Sequence, residues 1–193
     1  MKSIKFLLLV AAVWCGANSA FAQTWTQTSA PNYQWTSIAS SADGSKLVVA
    51  GQPYWIYTST NSGATWISNN ISVSNNIPNN LYDWNAVASS ADGTKLVAVG
   101  GYSVIHNGQP DIHAVIFTST NGGGIWTSNS SAPNQAWTSV ASSADGNKLV
   151  IAGGVATYGQ INFFTAIYTS TNAGTTWTQH YCPGIERGDY QKV

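Results

Sequence analysis

Short apolar runs alternate with polar turns along the chain, and beyond residue 22 none of them carries a helical period. From Trp35 to Ser40 large and small side chains alternate, which predicts a half-buried strand. Ala42-Asp43-Gly44-Ser45 then predicts a hairpin turn, and Lys46 to Ala50, rich in Val, a short buried strand. Asp-Gly suits that turn because glycine accepts positive φ and the Asp side chain bonds its own backbone. A third strand is expected over Trp55–Ser59, followed by the tight turn Ser59-Thr-Asn-Ser-Gly-Ala-Thr-Trp66 and a short fourth strand through Trp66.

The same order of elements returns twice. The phrase Trp-x-x-x-Ala-Ser-Ser-Ala-Asp-Gly-x-Lys-Leu runs from Trp35 to Gly51, from Trp84 to Gly100 and from Trp137 to Gly153, a period of about 50 residues. The turn phrase returns as Ser119-Thr-Asn-Gly-Gly-Gly-Ile-Trp126 and Ser170-Thr-Asn-Ala-Gly-Thr-Thr-Trp177. Four strands per unit at that period predict an all-β fold, a β-propeller of about three blades near 35–68, 84–128 and 137–179, within a repeat region 23–180. The eight-residue phrase resembles the Asp-box of the bacterial neuraminidase repeat family, whose pattern is Ser/Thr-x-Asp-x-Gly-x-Thr-Trp. Here Asn61, Asn121 and Asn172 stand at the Asp position, and Ile125 replaces Thr in the second copy. With the Ser-Ala-Asp-Gly phrase, the likeness extends to exported propellers grouped with photosystem assembly factors and to sortilin-like and sialidase-like repeats.

Trp25 and the residues after it match Trp126 and its followers, so a lone strand is expected near 24–28. That is one strand more than three blades need, and propeller rings have about four to eight blades. Three readings follow: a fragment of a longer gene, copies that associate to close a ring, or an open array. The fragment reading draws on the tail 181–193, where the repeat is lost and Glu186, Arg187, Asp189 and Lys192 crowd together. The open array is disfavoured because exposed strand edges must be paired or blunted.

Composition changes this picture at the N-terminus. Lys2 and Lys5, the apolar run Phe6–Val13 and Ala20-Phe21-Ala22 have the form of a signal peptide over residues 1–22, with export and a mature start at Gln23. Cys15 follows Trp14 rather than a small residue, against a lipid anchor. No other apolar run reaches the ~20 residues of a membrane span. Cys182 is then the one remaining cysteine, so no intrachain disulfide is expected. Charged residues are 7% of the chain, and without Lys2 and Lys5 the balance is slightly negative, which gives nucleic acid and anionic membranes no electrostatic hold.

No catalytic constellation is legible. The resemblance implies, for a sialidase, three arginines with a Tyr/Glu pair and an Asp acid, whereas Arg187 and Glu186 are the only Arg and Glu in the chain. Of the six Asp, Asp43, Asp92 and Asp145 are explained by turns and Asp189 lies in the tail, which leaves Asp83 and Asp111 as an unsupported carboxylate pair. His106 and His113 flank Asp111 in one long connection at a spacing that fits no closed zinc site, and His180 beside Cys182 lacks an orienting group. No catalytic residue, metal or cofactor is expected. Ser59, Asn61, Gly63 and Trp66, with Ser119, Asn121, Gly123 and Trp126, and Ser170, Asn172, Gly174 and Trp177, read as a scaffold device, because they recur in every blade.

Strand parity places the Asp-Gly turns and the eight-residue turns on one face, and the connections that differ among units on the other. Those connections carry Tyr54, Tyr82, Tyr102, Tyr158, Phe163 and Phe164 among amides and glycines. Function is expected there, as an exported non-catalytic module that binds a protein or glycan, with self-association a further possibility. The competing reading is a fragment of a sialidase-like or other glycoside-hydrolase propeller whose catalytic residues lie in other blades.

Overall fold

The computed structural model describes residues 26–52, 55–69, 71, 83–106, 109–129, 131, 135–154 and 165–180. The leader 1–22, Trp25 and the tail 181–193 lie outside them. Three four-stranded antiparallel sheets are formed, each a meander in chain order. Blade 1 holds β1 (Gln34–Ser40), β2 (Leu47–Gln52), β3 (Trp55–Ser59) and β4 (Ile67–Asn69). Blade 2 holds β5 (Asp83–Ser89), β6 (Leu96–His106), β7 (Gln109–Ser119) and β8 (Thr127–Ser128). Blade 3 holds β9 (Ala136–Ser142), β10 (Leu149–Gly154), β11 (Thr165–Ser170) and β12 (Thr178–His180).

Two expectations are corrected. Thr26–Thr28 join no strand; instead the Ser29 hydroxyl donates to the Ala64 carbonyl at 2.6 Å, tying this segment to the turn of blade 1. The stretch from Gly101 to His113 is a ladder rather than a loop. β6 and β7 stay paired from Leu96↔Ser119 out to His106↔Gln109, so Asp111 faces Val104 and His113 faces Tyr102 in register.

Each first strand bulges after its Trp: register shifts fall between Trp35 and Ser37, between Trp84 and Ala86, and opposite Ala152/Gly153. The bulge brings a backbone carbonyl over the glycine opposite, and this explains Gly51, Gly100 and Gly153. The core lies between blades, not within them. Val48, Ala50 and Ile56 of blade 1 meet Trp84, Val87, Leu96, Ala98 and Phe117 of blade 2. The other side of blade 2, through Ala88, Val97, Val99 and Ile116, meets Trp137, Leu149, Ile151, Ala166 and Tyr168 of blade 3. Sheets thus stack face to face, and blade 2, between the other two, buries both sides of its middle strands.

The Asp-Gly turns are built alike. Asp43 accepts from the Ser41 hydroxyl at 2.6 Å and from the Ser45 N–H at 3.0 Å; Asp92 and Asp145 repeat this with Ser90 and Thr94, and with Ser143 and Asn147. These hydroxyl bonds, then the backbone bonds, favour the charged carboxylate, lowering Asp43 and Asp145 from 3.8 to about 2 and Asp92 further still. A folded-state pKa below the unfolded one means the stabilisation is whole above pH ~4 and is lost as pH falls through the folded value. The melting temperature should therefore be level above pH 5 and fall between pH 4 and 2, and the triple change D43N/D92N/D145N should flatten that fall; an unchanged acid limb would refute the assignment.

Candidate functional site

The eight-residue turns are the most regular part of the molecule. The Ser59 hydroxyl accepts the Gly63 N–H at 2.9 Å and donates to Asn61 Oδ1 at 3.0 Å, while Asn61 Oδ1 accepts the Thr65 N–H at 2.9 Å. Ser119, Asn121, Gly123 and Ile125 repeat the set, as do Ser170, Asn172, Gly174 and Thr176. Asn61 and Asn172 also donate to a Thr hydroxyl at 2.9 Å; Ile125 has none, so only that bond is lost in the second turn. The glycines sit at φ +83, +96 and +88, where a side chain is strained. Trp126 and Trp177 pack against the two inter-blade cores. Trp66 is half-buried in the same way. The Ser hydroxyl and Asn carboxamide oxygen of each turn are thus engaged within the turn, while the indole N–H of Trp66, Trp126 and Trp177 is buried without a hydrogen-bond partner.

The hairpin turns and eight-residue turns share one end of each blade, linked by Ser62 N–H to the Ser45 carbonyl, Gly122 N–H to Thr94 and Ala173 N–H to Asn147, each at 2.8 Å. The strand ends that lead into the variable connections therefore lie at the opposite end. Of the aromatic residues expected there, Tyr54, Tyr82, Tyr158, Phe163 and Phe164 lie outside the described residues. Tyr102 is described and is not on a loop. It stands on β6, half-buried against the first inter-blade core, and stacks on His113 of β7 with ring centroids 4.8 Å apart and planes 14° from parallel.

Beyond this pair the sheet narrows. Among the described residues β5 pairs with β6 as far as Asp83↔Gly101, and β8 pairs with β7 at Phe117 and Thr118. Past Gly101 β6 and β7 of blade 2 continue as a paired ribbon, 103–106 against 109–112. Asp83 and Asp111 fall on strands at opposite flanks of β6, through Gly101 and Val104. His180 is engaged with Thr169 at 2.7 Å, and Cys182 lies outside the described residues. Among the described residues no group of three His, Cys, Asp or Glu is placed to hold a metal ion.

Blade 1 carries a feature that strand patterns alone do not disclose. Tyr33 stacks on Trp55 at 5.0 Å and 11°, and both surround Tyr57, which meets Trp35 edge-on at 5.7 Å. The Trp35–Tyr57 pair recurs as Trp84–Phe117 and Trp137–Tyr168, at 5.7 and 5.5 Å, so it is a blade device. Trp55 is the addition. Aligning the repeats finds it, because by register Val115 and Ala166 stand where Trp55 does, whereas the place of Tyr33, two residues before the blade's first Trp, is taken by Tyr82 in blade 2 and by Gln135 in blade 3. The bond between the two phenols raises Tyr33 above 10.0, and Gln135 likewise donates to the Tyr168 hydroxyl at 3.3 Å.

Solved structures with this arrangement of sheets are propellers. YCF48 bound to D1 peptide matches with a TM-score of 0.55 at 15% identity, over 76% of this chain and 40% of that one. YCF48 from Cyanidioschyzon merolae matches with 0.56 at 18% identity, over 81% and 40%. The GH74 xyloglucanase from Xanthomonas campestris matches with 0.50 at 14% identity, over 76% and 21%. The fold is the β-propeller. The chain spans two fifths or less of the length of these three proteins. No family model matches the sequence, and no curated protein does. No helix among the described residues is long and apolar enough to cross a membrane.

Proposed function

We propose that this is an exported, non-catalytic propeller module built on Asp-box turns, and that it binds an extended protein segment at the loop end of its blades. The observation that carries this reading is the ribbon of blade 2. A two-stranded ribbon is marginal by itself, yet here it rises from the four-stranded sheet over a stacked Tyr102–His113 base. Such a ribbon offers backbone donors and acceptors along its edges, and an added strand satisfies them while side-chain pockets supply selectivity. That one matched propeller is YCF48 bound to a peptide lends the same reading support. The Ser and Asn side chains of the turns at the other end are engaged within those turns, and the leader at 1–22 accounts for export.

The test is a peptide library displayed against the full chain, with fluorescence anisotropy on the enriched peptides. Replacing residues 103–112 by a two-residue Asn-Gly turn should abolish binding with little change in melting temperature, and Tyr102→Ala should weaken it about tenfold or more. Binding that survives loss of the ribbon would sink the proposal. The second reading, a glycoside-hydrolase fragment, draws on the GH74 xyloglucanase match. It predicts glycan-array binding rather than peptide enrichment, and hydrolysis of xyloglucan oligosaccharides by this chain would overturn the non-catalytic assignment.

A further inference from the structure

We infer that the outer faces of blades 1 and 3 are the two halves of a third blade–blade interface, and that a second copy of this chain completes it, head to tail, in a closed six-bladed ring. The apolar positions make the first argument. Val48 and Val97 are each 1% exposed beneath the following blade, whereas their counterpart Val150 is 37% exposed. Ile56 and Ile116 are 0% and 1% exposed, and their counterpart Ile167 is 36%. On the other side, Val87 packs on the preceding blade at 5% exposure, and Ile38, its counterpart, stands at 65%. Trp35 is half-buried where Trp84 and Trp137 are fully buried.

Hydrogen bonding makes the second argument, because the same donors cross both internal interfaces in the same direction. Ala42 N–H donates to the Ala91 carbonyl at 2.7 Å, and Ala91 N–H to the Ala144 carbonyl at 2.8 Å. Lys46 Nζ donates to the Asp92 carbonyl at 2.8 Å, and Lys95 Nζ to the Asp145 carbonyl at 3.0 Å. Thr36 Oγ1 reaches the Trp84 carbonyl and Asn85 Nδ2 the Trp137 carbonyl, both at 2.7 Å. Blade 3 repeats the donors as Ala144 N–H, Lys148 Nζ and Thr138 Oγ1, with Ala144, Lys148 and Thr138 exposed. Blade 1 repeats the acceptors as the carbonyls of Ala42, Asp43 and Trp35. The stems of Lys46 and Lys95 fill the space beside Gly93 and Gly146, while nothing lies within 4 Å of the corresponding point at Gly44.

A face that gives on one side and receives on the other makes a heterologous contact, which closes only when the rotation per chain divides a turn. Two copies of the three described sheets supply six blades, inside the range of about four to eight found in rings, and three copies would exceed it. Pairing of two blade 3 faces would instead set donors against donors. One local exchange is required. Thr28 sits at Gly63 in the place that Asn69 takes at Gly123 and Asn129 at Gly174, so the incoming His180, their counterpart on β12, displaces the 26–29 segment.

Sedimentation velocity of the full chain across a concentration series tests this. A dimer of discrete size that does not grow with concentration is expected. Val150→Lys and Ile38→Lys, on opposite faces, should each weaken dimerisation about tenfold or more, with melting of the single chain unchanged because both positions are exposed in it. Mixing the two variants should restore pairing, since one interface of the mixed ring carries neither lysine. Three outcomes would each overturn the proposal: a monomer at every concentration, as when another partner or a further blade fills the face; assembly that grows without limit; or a dimer lost with V150K but indifferent to I38K.

Discussion

Trp84→Ala should cost about 3–5 kcal/mol and should unfold blades 1 and 2 in one transition. The indole is fully buried, and what buries it comes from two sheets. Val48, Ala50 and Ile56 of blade 1 lie on one side, and Leu96 and Ala98 on the other, with Phe117 meeting the ring edge-on at 82°. Its carbonyl is also the acceptor for Thr36 of blade 1. Removing the side chain leaves a cavity that neither sheet can fill alone, because each is held by its own ladder, so the loss is shared across the boundary. Trp35→Ala removes the same kind of ring from a half-exposed site and should cost clearly less in the single chain. Urea unfolding followed by far-UV circular dichroism measures both. Equal costs would mean that the blade boundary contributes nothing particular to Trp84, and the account of an inter-blade core would fail.

The parts legible in the sequence are those that local chemistry repeats. Asp-Gly fixes its hairpin three times, and Ser-x-Asn-x-Gly closes its own turn three times, so period and strand order follow without knowledge of any distant contact. The sequence of the blade 2 ribbon points to a loop, because Gly, Asn, Pro and His interrupt any alternation from Gly101 to His113. Yet the ladder flanks Asn107-Gly108, the residue pair that a two-residue hairpin favours, and that pair was the available signal. Tyr102 was expected on a ligand-facing loop, and the ladder puts it on a strand, half-buried, with His113 opposite. Trp55 could not be weighed from its own strand, since its meaning depends on blade 1 having an outer face. Which face of a strand is covered is a tertiary fact, and Val48, Val97 and Val150 are the same residue in the same phrase with opposite burial.

That dependence on what lies opposite is sharpest at the glycines across from the bulges, where Gly100→Ala should be the most damaging small substitution in the chain. A methyl group there would overlap the Asp83 carbonyl and come within 3.0 Å of the Trp84 Cα, and both belong to backbone that the ladder holds. Relief requires β5 to move away from β6, which pulls Trp84 out of its packing, so the cost should reach the upper end of the overpacking range, about 3 kcal/mol. The three equivalent sites supply an internal scale. At Gly153 the added carbon would stand 2.5 Å from the Ala136 carbonyl, and at Gly51 2.7 Å from that of Gln34, so the loss of stability should fall in the order Gly100, Gly153, Gly51. Gly44→Ala is the control, because there nothing is near and the penalty is the φ of +73 alone, about 1–2 kcal/mol. Thermal melts of the four single variants would decide it. If Gly44→Ala proved as costly as Gly100→Ala, backbone conformation rather than the carbonyl beneath each bulge would be what selects glycine, and the bulge would lose its role as the device that seats each Trp between two blades.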